Sequence, residues 1–331
     1  MRILVTGGAG YVGSHVVRDL MAAGHEPVVL DNLSKGHLEA VPPGVSLVKA
    51  DLADKETLSE VFRRYQPQAV MHFAGSSLVG ESMREPELYF RNNLSNGLQL
   101  LACMVQHDVD KMVFSSSAAV YGEPETVPIT EEHPKRPTNP YGESKLFFEA
   151  MLARFEKAYG LRSICLRYFN AAGAHPSGEI GEDHTPETHL IPIILQTALG
   201  KREELAIFGT DYPTDDGTCV RDYVHVCDLS AAHLLALQAL ATGAPSNAFN
   251  LGNGQGFSVR EILSVAETVV GRPIATRIAE RRPGDPAILV ASAEKAQQEL
   301  GWRPSRADIR DIVESAWSWH MGHPEGYGLQ Q

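Results

Sequence analysis

Cysteine is scarce in this chain, and its few positions form no recognised pattern. The 331 residues contain 4 cysteines. They are Cys103, Cys165, Cys219 and Cys227. No two of them have the Cys-x-x-C spacing, and they do not form the framework of a disulfide-rich fold. We therefore expect all of these thiols to be reduced and structural.

Long apolar runs are also missing. No run approaches the roughly 18 to 20 apolar residues that a membrane-spanning helix needs. The chain enters a strand-like pattern at once, without the charged and then apolar segment of a secretion signal. With 43% hydrophobic and 21% charged residues, the composition is typical of a soluble globular protein. We therefore expect a cytoplasmic enzyme.

Positive charge is in short supply as well. Lysine and arginine number 29 against 41 acidic residues, which gives a formal net charge of −12. Nucleic acids and anionic membranes require a basic surface on their partner, so neither is expected to bind this chain. An anionic small substrate would need arginines placed locally at its own site.

What the sequence does contain is a glycine-rich turn close to its beginning. Residues 5–13 read Val-Thr-Gly-Gly-Ala-Gly-Tyr-Val-Gly, between an apolar run and an amphipathic segment. Gly7 allows a sharp exit from a strand, Gly10 lets a pyrophosphate approach the backbone, and Gly13 lets a helix pack closely on the sheet. The amino terminus of that helix then faces the phosphates. The spacing is G-x-x-G-x-x-G, which departs from the simplest dinucleotide fingerprint, and a lone glycine triplet also occurs in ordinary turns.

An acidic residue ends the second predicted strand. Residues 27–30 have a strand pattern, and Asp31 follows at the distance at which a carboxylate meets the adenosine ribose of a dinucleotide. A carboxylate there would repel a 2′-phosphate, so the sequence favours NAD over NADP. The alternative is that Asp31 is an ordinary strand-end or turn aspartate.

Strand-like and helix-like runs alternate along the first half of the chain. This alternation predicts a Rossmann-type, doubly wound parallel sheet. The predicted strands are 3–6, 27–30, 45–49, 69–73, 112–115 and 163–166, with helices that include 55–65, 88–107 and 141–159. An irregular stretch follows, and the sheet pattern returns near residue 222. We therefore expect an NAD-binding domain of residues 1–169 and 223–253, and a smaller, discontinuous C-terminal α/β substrate domain of residues 170–222 and 254–331.

Loops rich in small and polar residues follow three of the predicted strands. These loops are 51–52, 73–77 and 115–117. The carboxyl ends of parallel strands lie at one edge of the sheet, where open α/β sheets bind ligands. Each loop by itself has a structural alternative, because glycine and serine are common in any turn. Their joint position at one edge predicts a binding site.

Tyr141 and Lys145 lie four residues apart in a predicted helix, so their side chains point to the same face. With 10 tyrosines in the chain, one chance pair of this spacing is common, but this pair follows the fifth strand of a dinucleotide fold. A free phenol has a pKa of about 10, and a base near neutrality must lose about three units, on the order of 4 kcal/mol. Lys145 and a positively charged nicotinamide together would supply that stabilisation. Ser117 would bond the reacting oxygen and relay its proton, unless it is a loop hydroxyl bonded to the backbone.

Taken together, the motifs resemble the epimerase branch of the extended short-chain dehydrogenase/reductase family over essentially the whole chain. The matching strings are TGGAGYVGSH at 6–15, DNL at 31–33, HFAG at 72–75, SSSAAVYG at 115–122, PYGESK at 140–145, LRYFN at 166–170, GAHPSG at 173–178, DYPTDDGTCVRDY at 211–223 and RRPGD at 281–285. The later strings distinguish the epimerases from their relatives.

The resemblance implies bound NAD and a UDP-sugar substrate held by the second domain. The NAD-binding residues would be Gly7, Gly10, Tyr11, Val12, Gly13, Asp31, Asn32, Leu33, Ser34, Lys35, Gly36, Asp51, Leu52, Phe73, Ala74, Gly75, Ser76, Ser77, Asn92, Ser115, Tyr141, Lys145 and Phe169. The substrate-binding residues would be Ser117, Tyr141, Asn170, His189, Leu190, Ala206, Ile207, Phe208, Arg221, Leu289 and residues 282–285, which include Arg282 and Asp285. Paired arginines suit a diphosphate because a guanidinium fork matches its oxygens. Either arginine taken alone could equally be a surface residue or an ion-pair partner.

The same resemblance implies a reversible interconversion of UDP-glucose and UDP-galactose. In that reaction Tyr141 removes the proton of the sugar 4-hydroxyl with the help of Ser117, and the C4 hydride passes to NAD. The 4-keto sugar turns about its link to the diphosphate, and the hydride returns to the other face. Lys145 bonds the nicotinamide ribose and lowers the pKa of the phenol. The resemblance also implies a homodimer formed by the helices at 88–107 and 141–159.

Two positions leave the exact sugar open. His189 stands where some family members have asparagine, and Leu289 stands where the size of the residue decides whether N-acetyl sugars enter. An epimerase of UDP-N-acetylhexosamines or UDP-pentoses therefore stays an alternative. A nucleotide-sugar 4,6-dehydratase is disfavoured, because Ala118 and Ala119 replace the Asp-Glu pair of that class.

Two further classes of protein fit the sequence less well. A regulatory dinucleotide-binding protein would have little reason to keep Tyr141 together with Lys145. A metal enzyme is suggested only by His175, His184 and His189, whose spacing matches no familiar ligand motif, and hydride chemistry requires no metal. The sequence therefore predicts no metal.

Overall fold

The computed structural model describes residues 1–282 and 285–328. The strands are β1 (Arg2–Thr6), β2 (Glu26–Asp31), β3 (Ser46–Lys49), β4 (Ala69–His72), β5 (Lys111–Ser117), β6 (Arg162–Tyr168), β7 (Asn170–Ala172), β8 (Leu205–Phe208), β9 (Val220–His225), β10 (Asn247–Leu251), β11 (Gly256–Ser258), β12 (Thr276–Ala279) and β13 (Ile288–Leu289). The α-helices are α1 (Tyr11–Ala22), α2 (Lys55–Tyr65), α3 (Val79–Ser82), α4 (Pro86–Tyr89), α5 (Asn96–Gln106), α6 (Pro140–Tyr159), α7 (Leu190–Ala198), α8 (Val226–Ala241), α9 (Val259–Val270) and α10 (Ile309–Gly322).

A parallel sheet of seven strands forms the centre of the described chain, in the order β10-β6-β5-β4-β1-β2-β3. Each of its strand pairs is parallel. Strands such as β1 and β4 are buried almost throughout, which explains their nearly continuous apolar sequences. The predicted doubly wound sheet is confirmed, and its first six strands begin and end within two residues of the predicted positions.

The order of the strands reverses between β1 and β4, and this creates a topological switch point. From the centre of the sheet, successive strands are added outward in the order β1, β2 and β3 on one side and β4, β5 and β6 on the other. Loops after these strands separate here and leave a crevice at the carboxyl edge. The glycine-rich turn after β1 and the loop after β4 therefore border the crevice.

Helices cover both faces of the sheet. On one face α1 and α8 bury residues such as Val16, Leu20 and Leu229 against the strands, and on the other α2, α5 and α6 bury residues such as Phe62 and Leu101. The predicted helices at 55–65 and 141–159 are confirmed within one residue. Within the described chain, no helix combines the length and the apolar character that crossing a membrane requires.

The helix predicted at 88–107 differs from the structure in its first two turns. α4 ends at Tyr89, the segment Phe90–Ser95 has π-helical hydrogen bonding, and the regular helix α5 starts only at Asn96. A π-helical turn widens the helix and re-aims its side chains, and such turns are frequent at functional sites. Here it directs Asn92 and Asn93 toward the loop after β4.

The second half of the chain builds smaller sheets beside the main one. β11, β9 and β13 lie side by side, with β7 paired to β9, and β8 pairs with β12. α7, α9 and α10 surround a separate apolar cluster that includes Ile194, Ile262 and Ile312. β10, near the middle of this half, pairs with β6 of the main sheet. The residue boundaries of the two expected domains stay a prediction.

Candidate active site at the carboxyl edge of the sheet

The glycine-rich turn connects β1 to α1 at the switch point. Gly10 precedes α1 in an extended conformation (φ −80°, ψ 175°) and offers no side-chain cap to the helix. Because the first N–H groups of a helix lack partners within it, this end is suited to an anion. A Cβ on Gly13 would lie 2.2 Å from the carbonyl oxygen of Gly7, whereas a Cβ on Gly10 would lie 3.4 Å from the same atom. Glycine at position 13 is thus needed for packing, and glycine at position 10 leaves space for a ligand.

We expect this difference to separate folding from cofactor binding in two alanine variants. Gly13→Ala should lower the free energy of unfolding by about 1–3 kcal/mol, because its methyl group overpacks against the backbone. Gly10→Ala should keep the parent Tm but bind NADH at least about tenfold more weakly, a loss of about 1.4 kcal/mol. Thermal unfolding and fluorescence titration with NADH measure the two effects. Unchanged NADH affinity in Gly10→Ala would contradict the placement of a pyrophosphate at this turn.

Asp31 lies at the end of β2 and is only 7% exposed. Its carboxylate accepts N–H bonds from Ala9 (3.0 Å) and Leu33 (2.9 Å). Burial raises the pKa of Asp31, and the two N–H bonds oppose that rise. The carboxylate therefore holds the backbone turns around Ala9 and Leu33, which agrees with the alternative that Asp31 is a strand-end or turn aspartate. Each of its oxygens has a second lone pair, so a ribose hydroxyl can still be bound.

The loop after β2 is tied to its neighbours by polar contacts. Asn32 donates to Asp51 at the end of β3 (2.7 Å), and Lys35 donates to the carbonyl oxygen of Thr185 (2.6 Å). Tyr11, at the first position of α1, donates to the carbonyl oxygen of Gly173 (2.6 Å). The structure thus brings the predicted NAD-binding residues of β1, β2 and β3 together, and the loops of the second half close over them.

The loop after β4 is held by two asparagines from the π-helical segment. Asn93 accepts from the backbone N–H of Ser76 (2.8 Å) and donates to Ser144 (2.9 Å). Asn92 donates to the hydroxyl of Ser76 (2.9 Å). The sequence predicted Asn92 but missed Asn93, which joins this loop to α6 one residue before Lys145. The adjacent Asn92 could have drawn attention to Asn93, but the sequence does not predict the π-helical turn that directs both side chains to this loop.

Tyr141 and Lys145 lie in the first two turns of α6, which Asn139 caps by accepting from the N–H of Gly142 (2.9 Å). The Nζ atom of Lys145 lies 5.8 Å from the centre of the Tyr141 ring and donates to the carbonyl oxygen of Ser115 (2.9 Å). Lys145 is only 6% exposed. The predicted pair is therefore assembled against the end of β5.

Ser117, the last residue of β5, accepts a hydrogen bond from the backbone N–H of Ala119 (3.1 Å), as the structural alternative for this serine predicts. Its hydroxyl is also near enough to the phenol of Tyr141 to lower the pKa of that phenol. The relay role of Ser117 stays a prediction.

The charges around this pair are set by burial. Burial raises the pKa of Tyr141, and the Ser117 hydroxyl only partly opposes the rise. Burial lowers the pKa of Lys145 to about 8, against the opposing field of Glu149. The side chains of the protein alone therefore do not make the phenol acidic. A further positive charge beside the ring is required for the phenolate to form near neutral pH.

A buried ion pair behind α6 was missed from the sequence. Arg167 of β6 makes two bonds to the carboxylate of Glu149 (2.9 and 2.6 Å), and Ser116 donates to the same carboxylate (2.6 Å). Arg167 also donates to the hydroxyl of Tyr121 (2.9 Å). Glu149 lies one helical turn beyond Lys145, and this spacing was the only local signal. The pair fixes the distance between α6 and the ends of β5 and β6.

Both arginines predicted for a diphosphate have partners in the structure. Arg221 on β9 forms an ion pair with Asp285, and the guanidinium of Arg282 lies 4.1 Å from the centre of the Phe208 ring. Pro283 and Gly284, the middle of the predicted 281–285 motif, lie outside the described residues. In the structure Arg221 is therefore an ion-pair partner, as the alternative interpretation predicted. A diphosphate would have to bind Arg221 in addition to Asp285.

Other predicted substrate residues divide between two places. Leu289 pairs with Arg221 across β13 and β9, and it packs with Phe169 against a buried cluster that contains Tyr121. Asn170 begins β7, directly after Phe169. Ala206, Ile207 and Phe208 lie along β8 beside β12. His189 immediately precedes α7, which begins at Leu190.

Two of the three histidines that could suggest a metal from the sequence, His184 and His189, lie together in the segment before α7. The Nδ1 atoms of His184 and His189 lie 3.2 and 2.5 Å from an oxygen of Glu182. Burial opposes positive charge on both rings, but the neighbouring carboxylates raise the pKa of His184 to about 9 and that of His189 to about 10. His175 instead lies beside Ser177. From the sequence only the histidines were candidate metal ligands, and the neighbouring acidic residues Glu182 and Glu187 were missed.

Known proteins resemble this chain along nearly its full length. The family model described as the NAD dependent epimerase/dehydratase family matches residues 3–252. The UDP-glucose 4-epimerase of Halalkalibacterium halodurans is 54% identical over 330 residues, which cover 100% of this chain and 98% of that protein. The UDP-glucose 4-epimerase of Lacticaseibacillus casei is 54% identical over 328 residues, 99% of each protein.

Solved structures that are similar to this chain are also of UDP-glucose 4-epimerases. The crystal structure of UDP-glucose 4-epimerase from Brucella ovis in complex with NAD has a TM-score of 0.93 at 45% identity, covering 96% of this chain and 97% of that one. A further crystal structure of a UDP-glucose 4-epimerase has a TM-score of 0.97 at 51% identity, covering 99% of this chain and 100% of the other. This chain therefore belongs to the NAD dependent epimerase/dehydratase family.

Proposed function

We propose that this protein is an NAD-dependent UDP-sugar 4-epimerase that reversibly interconverts UDP-glucose and UDP-galactose. The observation that carries the proposal is the assembly of Tyr141, Lys145 and Ser117 at the carboxyl end of β5, beside the glycine turn at the switch point. Relatives named UDP-glucose 4-epimerase cover the whole chain, including the residues assigned to the sugar nucleotide.

The residues of the first half fit NAD. The turn at Gly10 leaves space at the amino terminus of α1 for the pyrophosphate, and Asp31 has lone pairs left for the adenosine ribose. Lys145, held by the carbonyl oxygen of Ser115, is in our proposal the contact for the nicotinamide ribose. When bound, NAD supplies a reversible acceptor for the hydride of the sugar C4.

The protein's own part is to hold and move one proton. Because burial keeps the pKa of Tyr141 raised, the phenol keeps its proton until positive charge is placed beside it. Tyr141 then accepts the proton of the 4-hydroxyl through Ser117 and later returns it. Arg221 and Arg282 are proposed to bind the diphosphate, so that the sugar is free to turn while the nucleotide stays fixed.

Incubation of the purified protein with UDP-galactose, without added NAD, tests the proposal directly. We expect UDP-glucose to accumulate to an equilibrium mixture that is also reached from UDP-glucose. Parallel incubations with UDP-N-acetylgalactosamine and UDP-arabinose determine what Leu289 admits. Absence of conversion by protein that contains NAD would favour the non-catalytic alternative, and conversion restricted to the acetylated or pentose substrates would change the assigned sugar.

Ser117→Ala should lower kcat about 10- to 100-fold, because it removes one hydrogen bond to an oxygen that becomes charged. The loss should be smallest at alkaline pH, where the phenol ionises without help. Ser116→Ala is the matched control, since that hydroxyl bonds Glu149 and lies outside the proposed relay. Its kcat should stay within about twofold of the parent. Equal losses in the two variants would contradict the relay.

We also propose a homodimer formed by α5 and α6. Leu98 and Phe147 on these helices are 46% and 50% exposed, and large exposed apolar residues often mark a protein interface. Sedimentation equilibrium should give twice the 36.1 kDa of one chain, and Leu98→Glu with Phe147→Glu should reduce that mass to one chain. A cytoplasmic location belongs to the same proposal, because all four cysteines are free thiols.

A further inference from the structure

The segment that leads into α7 carries a polar cluster of four side chains, of which only His189 was assigned to the substrate by the resemblance. Glu182, His184, Glu187 and His189 each direct one nitrogen or oxygen atom to a common point, and these atoms all lie within 4.8 Å of one another. Glu182 is 3% exposed and Glu187 is 7% exposed. Two buried carboxylates and two imidazoles from one short segment form a set of potential metal ligands.

The distances between these atoms resemble those of a tetrahedral metal site. With metal–ligand bonds of about 2.0–2.1 Å, neighbouring ligand atoms lie about 3.4 Å apart. The Nδ1 atom of His184 lies 3.2 Å from Oε1 of Glu182 and 3.7 Å from Oε2 of Glu187. The Nδ1 atom of His189 lies 3.5 Å from the other oxygen of Glu187, Oε1, and all four side chains offer a ligand atom within 4.8 Å of one another. The remaining distance, 2.5 Å between His189 and Glu182, is that of a short hydrogen bond and would lengthen around an ion.

Two buried atoms of the cluster, Oε2 of Glu187 and Nδ1 of His184, make no well-aligned hydrogen bond. Nδ1 of His184 forms ion pairs with Glu182 (3.2 Å) and with Oε2 of Glu187 (3.7 Å). The other oxygen of Glu187 accepts from the N–H groups of Thr188 (2.7 Å) and His189 (2.8 Å), so the side chain is fixed with Oε2 aimed inward. A fixed and buried carboxylate oxygen that makes no hydrogen bond, with an ion-pair partner as far as 3.7 Å away, is poorly satisfied and leaves space for a ligand between the two atoms.

The backbone of this segment is anchored on both sides. The indole of Trp319 in α10 donates to the carbonyl oxygen of Glu182 (3.2 Å), and Lys35 from the loop after β2 donates to that of Thr185 (2.6 Å). The Tyr11 ring lies 6.1 Å from the His184 ring. The four side chains are therefore presented by a constrained backbone, which a structural metal site requires.

We propose that Glu182, His184, Glu187 and His189 bind one divalent transition-metal ion of the zinc class. Two carboxylates balance the charge of the ion when both imidazoles are neutral. Imidazole ligands favour zinc over magnesium and calcium, which prefer oxygen ligands. The ion would join the segment before α7 into one unit beside the glycine turn and would leave Nε2 of His189 free. The site is structural and takes no part in the hydride reaction.

The full chain, purified without a metal-affinity column or tag and treated with EDTA, tests the proposal. After addition of zinc chloride and desalting, mass spectrometry should find one zinc per chain, and Tm should rise by several degrees. Magnesium chloride at the same concentration should leave Tm unchanged. X-ray absorption at the zinc edge should find a four-coordinate ion with nitrogen and oxygen ligands and no sulfur.

Two variants separate this site from zinc bound elsewhere. Glu187→Gln keeps the size of the side chain and the acceptor for the two backbone N–H groups, but should weaken zinc binding at least about tenfold. His175→Gln, in the same half but outside the cluster, should bind zinc like the parent. Fewer than about one zinc per ten parent chains would overturn the proposal and leave an ion-pair cluster of protonated histidines. Unchanged zinc binding in both Glu187→Gln and His184→Gln would overturn it too.

Discussion

Tyr141→Phe is expected to lower kcat for UDP-galactose by about 10²- to 10⁴-fold, the usual contribution of a positioned acid–base group. Phenylalanine keeps the edge-to-face contact with Tyr89, whose ring centre lies 6.4 Å away, so the local packing is retained. What it removes is the hydroxyl whose pKa Ser117 lowers. Bound NAD should be retained, because its main proposed contacts are at the glycine turn and at Lys145. Initial rates and the NAD released on denaturation measure the two quantities.

Tyr89→Phe is the matched control for this variant. Its phenol is also buried and lies beside Tyr141, but it donates to the carbonyl oxygen of Leu78 and lies within bonding distance of Glu81. Loss of that hydroxyl should cost about 1 kcal/mol of stability and leave kcat within about twofold. If kcat of Tyr141→Phe were within tenfold of the parent value, Tyr141 could not be the acid–base group of the reaction. A loss of NAD from Tyr141→Phe would mean that the variant acts through cofactor binding instead.

The physical account of Tyr141 changes once the structure is considered. From the sequence, the ammonium group of Lys145 and a positively charged nicotinamide were together expected to lower the pKa of the phenol. In the folded chain the Lys145 ammonium is itself destabilised by burial, which lowers its pKa to about 8. Burial also raises the pKa of Tyr141. Burial therefore works against ionisation of the phenol and weakens the contribution of Lys145, so under the proposed function most of the shift toward phenolate would fall to the cationic cofactor ring.

The parts of the fold that sequence predicted well are those that local pattern specifies. β1 and β4 are apolar along their length because both faces are covered, and such runs stand out between glycine turns. Tyr141 and Lys145 were placed together because four residues make one helical turn. Asp31 was found because the distance between the glycine turn and the end of β2 is nearly constant in this type of sheet.

The parts that sequence missed depend on contacts between distant segments. The π-helical turn that aims Asn93 is stabilised by bonds to Ser76 and Ser144, and no local propensity announces it. Arg167 and Glu149 lie on different elements, so neither signals the other in the chain. Nothing in the local sequence marks Glu182 and Glu187 as buried, whereas in the structure both are nearly inaccessible and the backbone of Glu182 is bonded to the distant Trp319.

Acidification is the second change for which we expect a large effect, and it acts on the stability of the fold. Four histidines are almost completely buried, at 0 to 2% exposure. They are His15, His72, His225 and His233. Burial lowers the pKa of His15 and His72 to about 3 and that of His225 and His233 to about 4. In the unfolded chain each would titrate near 6.5. Below that pH the unfolded state binds protons that the folded state does not.

The sign and the size of the effect follow from this difference. Stability from these histidines is fully present above pH 6.5 and falls as the pH drops toward 4. At pH 5.5 each histidine costs about 1.4 kcal/mol, or about 5–6 kcal/mol for the four. Burial raises the pKa of Asp222 to about 6, so that carboxyl takes up a proton in the folded state and offsets about 1 kcal/mol. His184 and His189 act in the opposite direction, because their raised pKa values keep them protonated in the folded state, and each offsets about 1.4 kcal/mol over this range. The expected net loss between pH 7.5 and 5.5 is therefore about 2 kcal/mol, a large fraction of the stability of many domains.

Urea unfolding at a series of pH values between 7.5 and 5.5 measures this loss, and its slope gives the number of protons taken up on unfolding. His233→Phe provides the matched comparison, because the His233 ring packs against Phe73 and its Nε2 has no hydrogen-bond partner, so an apolar ring suits the position. The variant should take up one proton fewer and be less sensitive to acid than the parent. If His233→Phe took up as many protons on unfolding as the parent, the His233 ring would have to be charged in the folded state. A folded core with charged rings at these four positions would need counter-ions, which the apolar contacts of His72 with Phe114 and Phe148 do not provide.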